Sequence, residues 1–556
     1  MKISDTDKDY TINLASKVAS QGRSAGKITY SMSSSISTTE ETTNTTLHFA
    51  TQSVNTYTED SAESGEAYVR FGKSVSIVNP GKILIGAPEK THAGYTSSPG
   101  DVGSVFEFKR TAGVYDADGS EWVQTAEISA NDMSSMNPSS NIMHFGAALA
   151  SSGSYLVVGA PYRAGPASSY TQTCGAVYVF HSGAAGYEQE AFIQPVIAQT
   201  THFGTVVGMD SQSNRFVVGV PHRNEVYIYN SSSTGWNQEA ILTSSLAEAS
   251  PKYGSSVALS GSYLAIGAPS NKHGTGADTI SGAGSVSLYK SSSSGGWQDL
   301  RTMHSSSPSN NGFYGRSLAM ISQKKLVVGE EFGEIGEGAK TGSVEILSFD
   351  DSGNKTLIQT ISNPRANNLG RFGRYVSAYE NGEYIAVSRP VATDSGANDL
   401  SSDEGHRAVF VYKSGSGGTW SLSNTLTRDT SLATYYGSSP GKWIYNLDNS
   451  VNVVNRWDTK LDIKEGLVLH GIDGAADSNF RDNNGGLSNY GFGEFRAWRT
   501  YVSSSTTTTT SSVTTLVSSS GPGDFAPFRF SSNGPFNLRN QSSNNYYKTF
   551  VGDHKN

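Results

Sequence analysis

The chain has 556 residues, a formal net charge of −8 and 16% charged residues, with 60 Gly and 10% aromatics. The mild acidity, with no clustered basic stripe, excludes a nucleic-acid partner, and no run of about 18 apolar residues exists to insert in a membrane. Gly and Ser supply turns while Tyr, Val and Thr suit half-buried strands, so the composition reads as all-β rather than disordered.

Residues 1–45 read as an N-terminal arm or linker. Its first ten residues, Met-Lys-Ile-Ser-Asp-Thr-Asp-Lys-Asp-Tyr, contain no hydrophobic stretch, so no signal peptide is expected. Asp5, Asp7 and Asp9 begin like a calcium loop, but Tyr10 stands where the loop's sharp turn needs Gly. Gly22 to Ile28 mimics a phosphate loop one residue short, with Ile28 in place of the magnesium-binding hydroxyl. Ser31–Thr46 is a Ser/Thr-rich linker or an extended segment.

Repeats occupy 71–427. Each opens on an aromatic-Gly pair: Phe71-Gly72, Phe145-Gly146, Phe203-Gly204, Tyr253-Gly254, Tyr314-Gly315 and Phe372-Gly373. A strand and a tight turn lead to a second strand, which ends at Gly86-Ala87-Pro88, Gly159-Ala160-Pro161, Gly219-Val220-Pro221 or Gly267-Ala268-Pro269. The ending weakens to Gly329-Glu330-Glu331 and Ser388-Arg389-Pro390. A third segment alternates in the manner of Gly175-Ala-Val-Tyr-Val-Phe180. A fourth opens on Trp122, Tyr187, Trp236, Trp297 or Trp420, and only the fifth repeat lacks that aromatic. Four short strands per unit predict a β-propeller, in which stacked blades bury what one sheet leaves exposed. Pro ends the second strand by removing a donor, and Gly permits close backbone approach.

These motifs resemble the FG-GAP repeats of the integrin alpha-subunit propeller and its bacterial and viral relatives. The resemblance implies a propeller of about seven four-stranded blades over 46–520, with a divergent last blade at about 428–520 and a C-terminal tail at 521–556. Tyr436-Gly437 is a candidate opening for that last blade, Gly466 to Gly471 its second strand and Gly493 to Trp498 its third, with an N-terminal strand near Leu47–Val54 completing it. Integrin-type repeats often carry an Asp-rich calcium loop between the first two strands. Here Ser152-Gly153-Ser154, Ser260-Gly261-Ser262 and Asn79-Pro80-Gly81 are plain turns, so no calcium cage carries over, and no cofactor is expected. Asp116-Ala-Asp118-Gly119 has too few carboxylates for one.

Variable loops on one face of a rigid scaffold are where binding usually resides. Here the connections between second and third strands vary most: Glu89–Val102, Tyr162–Cys174, Ser270–Ala283, Glu330–Thr341 and Val391–Arg407. The candidate ligand-binding residues on this face are His92, Tyr95, Tyr162, Arg163, His222, Arg223, His273, Glu337, Arg389 and His406. Glu330, Glu331, Glu334, Asp394, Asp399 and Asp403 are weak candidates for calcium, against the reading that these acidic loops are simply solvated. No catalytic constellation, zinc spacing or nucleophile elbow is present. Cys174, the single cysteine, reads as a small buried hydrophobe.

The expected function is non-enzymatic: a virion surface or tail protein, located on the virion surface or otherwise extracellular, used for host attachment or decoration. Its expected partners are other structural subunits and a host surface protein or glycan. A cellular adhesin, a purely structural subunit and a glycan-cleaving propeller remain as alternatives.

Overall fold

The computed structural model describes 28–56, 69–426, 459–465, 467–476, 491–521, 537–539 and 546–548. Within the second span it leaves out 93–101, 111–121, 133–141, 166–172, 196–199, 211–213, 246–249, 293–295, 334–340, 365–370, 380–381, 390–407 and 416–417. Tyr436-Gly437 and Asp116 to Gly119 therefore lie outside the described residues.

The fold is an all-β propeller with four-stranded antiparallel blades. The first blade runs Ser74–Asn79, Lys82–Ala87, Ser104–Arg110, Trp122–Ile128. The second is Ala148–Ser152, Tyr155–Ala160, Ala176–Gly183, Gly186–Ile193. The third is Val206–Met209, Arg215–Val220, Glu225–Ser232, Gly235–Thr243. The fourth is Ser256–Ser260, Tyr263–Ala268, Ser285–Ser291, Trp297–Met303. The fifth is Tyr314–Ser322, Lys325–Glu330, Ser343–Phe349, Lys355–Ser362. The sixth is Val376–Ala378, Tyr384–Arg389, Ala408–Ser414, Trp420–Leu426. These six follow chain order, each strand pairing with the next.

A further four-stranded sheet is built differently. Thr459–Lys464 pairs with Leu467–Ala476, which pairs with Gly491–Gly521, which pairs with Ile28–Thr56. The chain divides into two compact units, 47–501 and 1–46 with 502–556, and the two long strands contribute residues to both. The second unit also holds a small hairpin, Asn537–Arg539 with Tyr546–Lys548. The low-complexity run Thr506–Thr515 is part of the long strand.

The aromatic-Gly pair has a definite backbone role. The amide of the residue after Gly donates to the carbonyl of the residue before the aromatic, as in Lys73 N to Arg70 O at 3.1 Å and Thr205 N to His202 O at 3.2 Å. Gly occupies the third place of this four-residue turn with φ between 83° and 92° in all six copies. A turn of type II needs this left-handed residue, and Gly adopts it without strain. The aromatic ring then lies edge-on to the third strand of its own blade: Phe71 on Phe106 at 5.8 Å, Phe145 on Tyr178 at 5.3 Å, Phe203 on Tyr227 at 5.2 Å. Where the residue is Tyr its hydroxyl is satisfied, Tyr253 by Tyr289 at 3.0 Å and Tyr314 by Glu345 at 2.8 Å.

Neighbouring blades touch backbone to backbone. A methyl group on Gly86 would lie 2.1 Å from the carbonyl oxygen of Gly146 in the next blade; the same contact links Gly159 to Gly204, Gly219 to Gly254, Gly267 to Gly315 and Gly329 to Gly373. Gly471 meets Gly72 in the same way at 2.3 Å. A serine often braces the contact: the hydroxyls of Ser74, Ser256 and Ser317 donate to the carbonyls of Gly146, Gly315 and Gly373. Apolar clusters fill each seam around these contacts. One joins Leu84 and Val105 to Phe145 and Tyr178; another joins Leu467 and Leu469 to Phe71 and Val75; a third joins Ala386 and Val409 to Ile463 and Val468. Cys174 is buried, with its carbonyl accepting from Thr201 Oγ1, in accord with a packing role.

Every blade has a register shift at the same place between its third and fourth strands, from Glu107/Phe108 in the first to Val411/Tyr412 in the sixth. Such bulges strengthen local twist. The fifth blade's missing aromatic has moved across the ladder. Lys355 stands where the others have Trp or Tyr, and Phe349 on the facing strand fills the apolar space against Tyr263 at 5.5 Å.

The seam makes a sharp prediction. Gly159→Ala places a methyl against a backbone oxygen and is expected to cost at least about 3 kcal/mol. Gly153→Ala, at φ 57° with open space around it, costs only about 1 kcal/mol. Chemical denaturation midpoints of the two variants measure the difference.

Candidate ligand-binding face

The residue before each aromatic is held in the left-handed region: Arg70, His144, His202, Lys252, Phe313 and Arg371 have φ between 51° and 59°. This conformation is uncommon for residues with a Cβ and costs about 1 kcal/mol each. Five of the six are basic or imidazole side chains. They stand on the face that carries the second-to-third-strand connections, since each precedes a first strand.

The residue after each Gly-x-Pro stands beside them, and together they form an arc. The His144 ring lies 4.4 Å from Tyr162, Tyr162 lies 4.8 Å from His202, and His202 lies 4.5 Å from His222. Tyr162 is 38% exposed, His222 is exposed, and the other two are half-buried. Further round, Phe313 packs on Phe332 at 5.8 Å and Arg371 covers the same ring at 5.2 Å. Lys460 lies over Tyr375 at 4.7 Å, with Arg374 at 5.7 Å. Burial, aided by Arg70 and Lys73, holds the His144 imidazole down at about 4; burial also lowers His202 and His222, with His222 acting on the former and Lys252 on the latter. At neutral pH the arc therefore presents uncharged rings, with Lys252 beside His222 and the Arg70–Glu89 ion pair (3.0 Å) beside His144.

The other expected binding residues have structural duties. Arg163 pairs with Asp132 at 2.8 Å, and Tyr178 donates to the same carboxylate. Arg223 pairs with Glu225 at 3.0 Å. His273 stacks on His304 at 4.5 Å. Arg389 is not on the expected face: at 2% exposure it lies inside the sixth blade, at the place where the first four blades have a buried alanine or valine. Tyr95, Glu334, Glu337, Asp394, Asp399, Asp403 and His406 lie outside the described residues. The arc brings together Tyr162 and His222 from the expected set. It adds His144 and His202, which sequence reasoning missed although their place before each aromatic-Gly pair was open to inspection.

Glu330 and Glu331 point to different surroundings. Glu331 is enclosed by Arg316, Arg371 and Arg374, so its charge is already neutralised. This removes it from calcium coordination. Glu330 accepts from Ser305 Oγ at 2.9 Å and Ser343 Oγ at 3.4 Å, while its Oε1 has no partner among the described residues. Among the described residues no group of three or more His, Cys, Asp or Glu is placed to hold a metal ion. No helix among them is long and apolar enough to cross a membrane.

Two clusters resemble catalytic groupings. His92 Nε2 lies 2.9 Å from Ser104 Oγ, but Ser104 donates to Glu127 at 2.6 Å, so the carboxylate holds the serine and not the histidine. In a nucleophilic triad the carboxylate orients the imidazole. Glu330 and Glu345 are a second pair, both almost fully buried, with Glu345 bound by Lys355 at 2.8 Å. Ser104 and both glutamates are inaccessible to a substrate.

With this geometry in view, comparison with known proteins is informative. The FG-GAP repeat family matches residues 122–180 and 236–289. The chain carries FG-GAP repeats. Each matched FG-GAP segment runs from the fourth strand of one blade into the third strand of the next, and so spans a seam. A crystal structure of a protein from Lactobacillus plantarum is similar over 74% of this chain and 95% of that one, at 12% identity and a TM-score of 0.39. No curated protein matches. The Ala place of the fifth repeat is taken by Glu330, and burial is the main force raising that carboxyl from 4.5 to about 7.

Because the folded pKa is raised, the stabilisation from protonated Glu330 is full below pH 4.5 and is lost as pH rises through about 7. Glu330→Gln, neutral throughout, is expected to exceed wild-type stability by about 2 kcal/mol at about pH 8 and to match it at about pH 4. Denaturant midpoints across pH measure this; parallel profiles would show that Glu330 keeps an ordinary pKa.

Proposed function

We propose that this chain is a non-enzymatic surface propeller that attaches a virion or its tail to a host surface. The observation that carries the reading is the arc of aromatic and imidazole rings, two exposed and two half-buried, on the face whose loops vary most. A rigid ring presenting such a face suits recognition, because the scaffold is ordered before a partner arrives. The single cysteine suits a protein that folds in a reducing compartment and acts outside it, a circumstance that lytic release of virions provides. Other structural subunits are its expected neighbours.

The ring itself is read as seven-bladed, with the sheet from Thr459 onward as the closing blade. What supports this is the cycle of seams. Asp462 sits between the sixth and first blades, its Oδ2 accepting from Ile77 N at 2.8 Å and its Oδ1 from Ser377 Oγ at 3.2 Å. Asp462→Ala leaves buried donors without an acceptor and is expected to lower stability by about 3 kcal/mol, with Asp462→Asn about half as severe. An unchanged denaturation midpoint for Asp462→Ala would contradict a closing blade at this place.

The attachment reading is tested by location and competition. The protein is expected to sediment with particles in a density gradient of the producing cells' lysate, to be accessible there to antibody, and when added pure to reduce particle adsorption. Recovery only as free cytoplasmic protein, or release of sugars from host polysaccharide, would overturn it.

A further inference from the structure

The attachment reading leaves the ligand's chemistry open, and the arc constrains it. Its four rings are neither sequestered nor continuous apolar surface. Each has an apolar face or edge and a polar atom, the phenol oxygen or an imidazole nitrogen. They alternate edge to face, so successive rings offer a broken platform instead of one flat slab. His144 and His202 occupy left-handed backbone positions that Gly would fill without strain. Seam packing does not require a ring there: the equivalent places hold Arg70, Lys252 and Arg371.

Cations stand beside the arc, and at the His144 end Arg70 is paired with Glu89 at 3.0 Å. Arg70 and Lys73 act on His144, and Lys252 acts on His222. Cations beside polar-edged rings meet the needs of a polymer that alternates apolar C–H faces, hydroxyls and acidic groups. A peptide captured through its backbone would use an open strand edge, and the arc offers side chains alone.

We propose that the arc of His144, Tyr162, His202 and His222, with Lys252 at its end, binds an acidic polysaccharide. Pyranose C–H faces lie on Tyr162 and the imidazoles, sugar hydroxyls exchange hydrogen bonds with the ring nitrogens, and carboxylate or sulfate groups face Lys252. This rests on the attachment reading and specifies its ligand.

The test uses the full chain with four probes in calorimetric titration: polygalacturonate, dextran sulfate, uncharged dextran and poly-glutamate. Wild type is expected to bind the first two, with affinity falling as salt rises, and to bind neither of the others. Tyr162→Ala and His202→Asn are expected to weaken binding at least tenfold, and Lys252→Asn to reduce its salt dependence. Lys324→Gln, in a turn on the opposite face, serves as the charge control and should bind as wild type. Unfolding midpoints near the wild-type value establish that the variants fold. Absence of binding to both acidic polysaccharides, equal binding to dextran or poly-glutamate, or wild-type binding by folded Tyr162→Ala and His202→Asn would overturn the assignment. Host-cell binding is measured in parallel. If wild type binds cells and Tyr162→Ala binds them equally, the arc is wrong and attachment stands; if wild type binds no cells, the attachment reading itself fails.

Discussion

Two glycines, one at the end of a second strand and one in the turn that opens the next blade, meet with no room for a methyl group between them. Most of the architecture follows from that contact. The glycine carbonyl of one blade sits over the bare Cα of its neighbour, so blades approach until their apolar faces interlock. The left-handed turn that places the carbonyl also turns the aromatic ring beneath the third strand. Removing water from these faces supplies the main stabilisation, and the backbone contact sets the separation at which it operates.

The same contact explains what was legible in the sequence. A position that tolerates only Gly, next to one that must fill a seam with an aromatic ring, leaves a two-letter mark in every repeat. The Gly-Ala-Pro ending is legible for a related reason: close approach, a small buried side chain, and the end of the ladder. Strand order followed from these marks, including the third strand near Gly493 and the N-terminal contribution to the last sheet.

What depends on partners in space stayed hidden. His144 and His202 read as arbitrary residues until Tyr162 was seen between them. Arg389 looked like a ligand-binding cation because arginine is usually exposed, yet its place holds a buried alanine or valine in the first four blades. Glu331 looked like part of an acidic loop, and three arginines from two successive blade-opening turns neutralise it. The common bulge between third and fourth strands leaves no mark, since an extra residue in a strand of varied length is invisible without its partner strand.

The sheet that pairs Ile28–Thr56 with Gly491–Gly521 has a consequence for synthesis. These two paired strands are separated by most of the chain, a sequence distance at which pairing is slow. A nascent chain that has emerged only to Leu426 already holds every strand of six blades, yet the flank of the first blade against Phe71 and Val75 remains uncovered. Ribosomal products that stop there expose an apolar flank with no intramolecular cover, a state prone to aggregation. That flank is covered only once Leu467, Leu469 and Ala497, which pack against it, have been made.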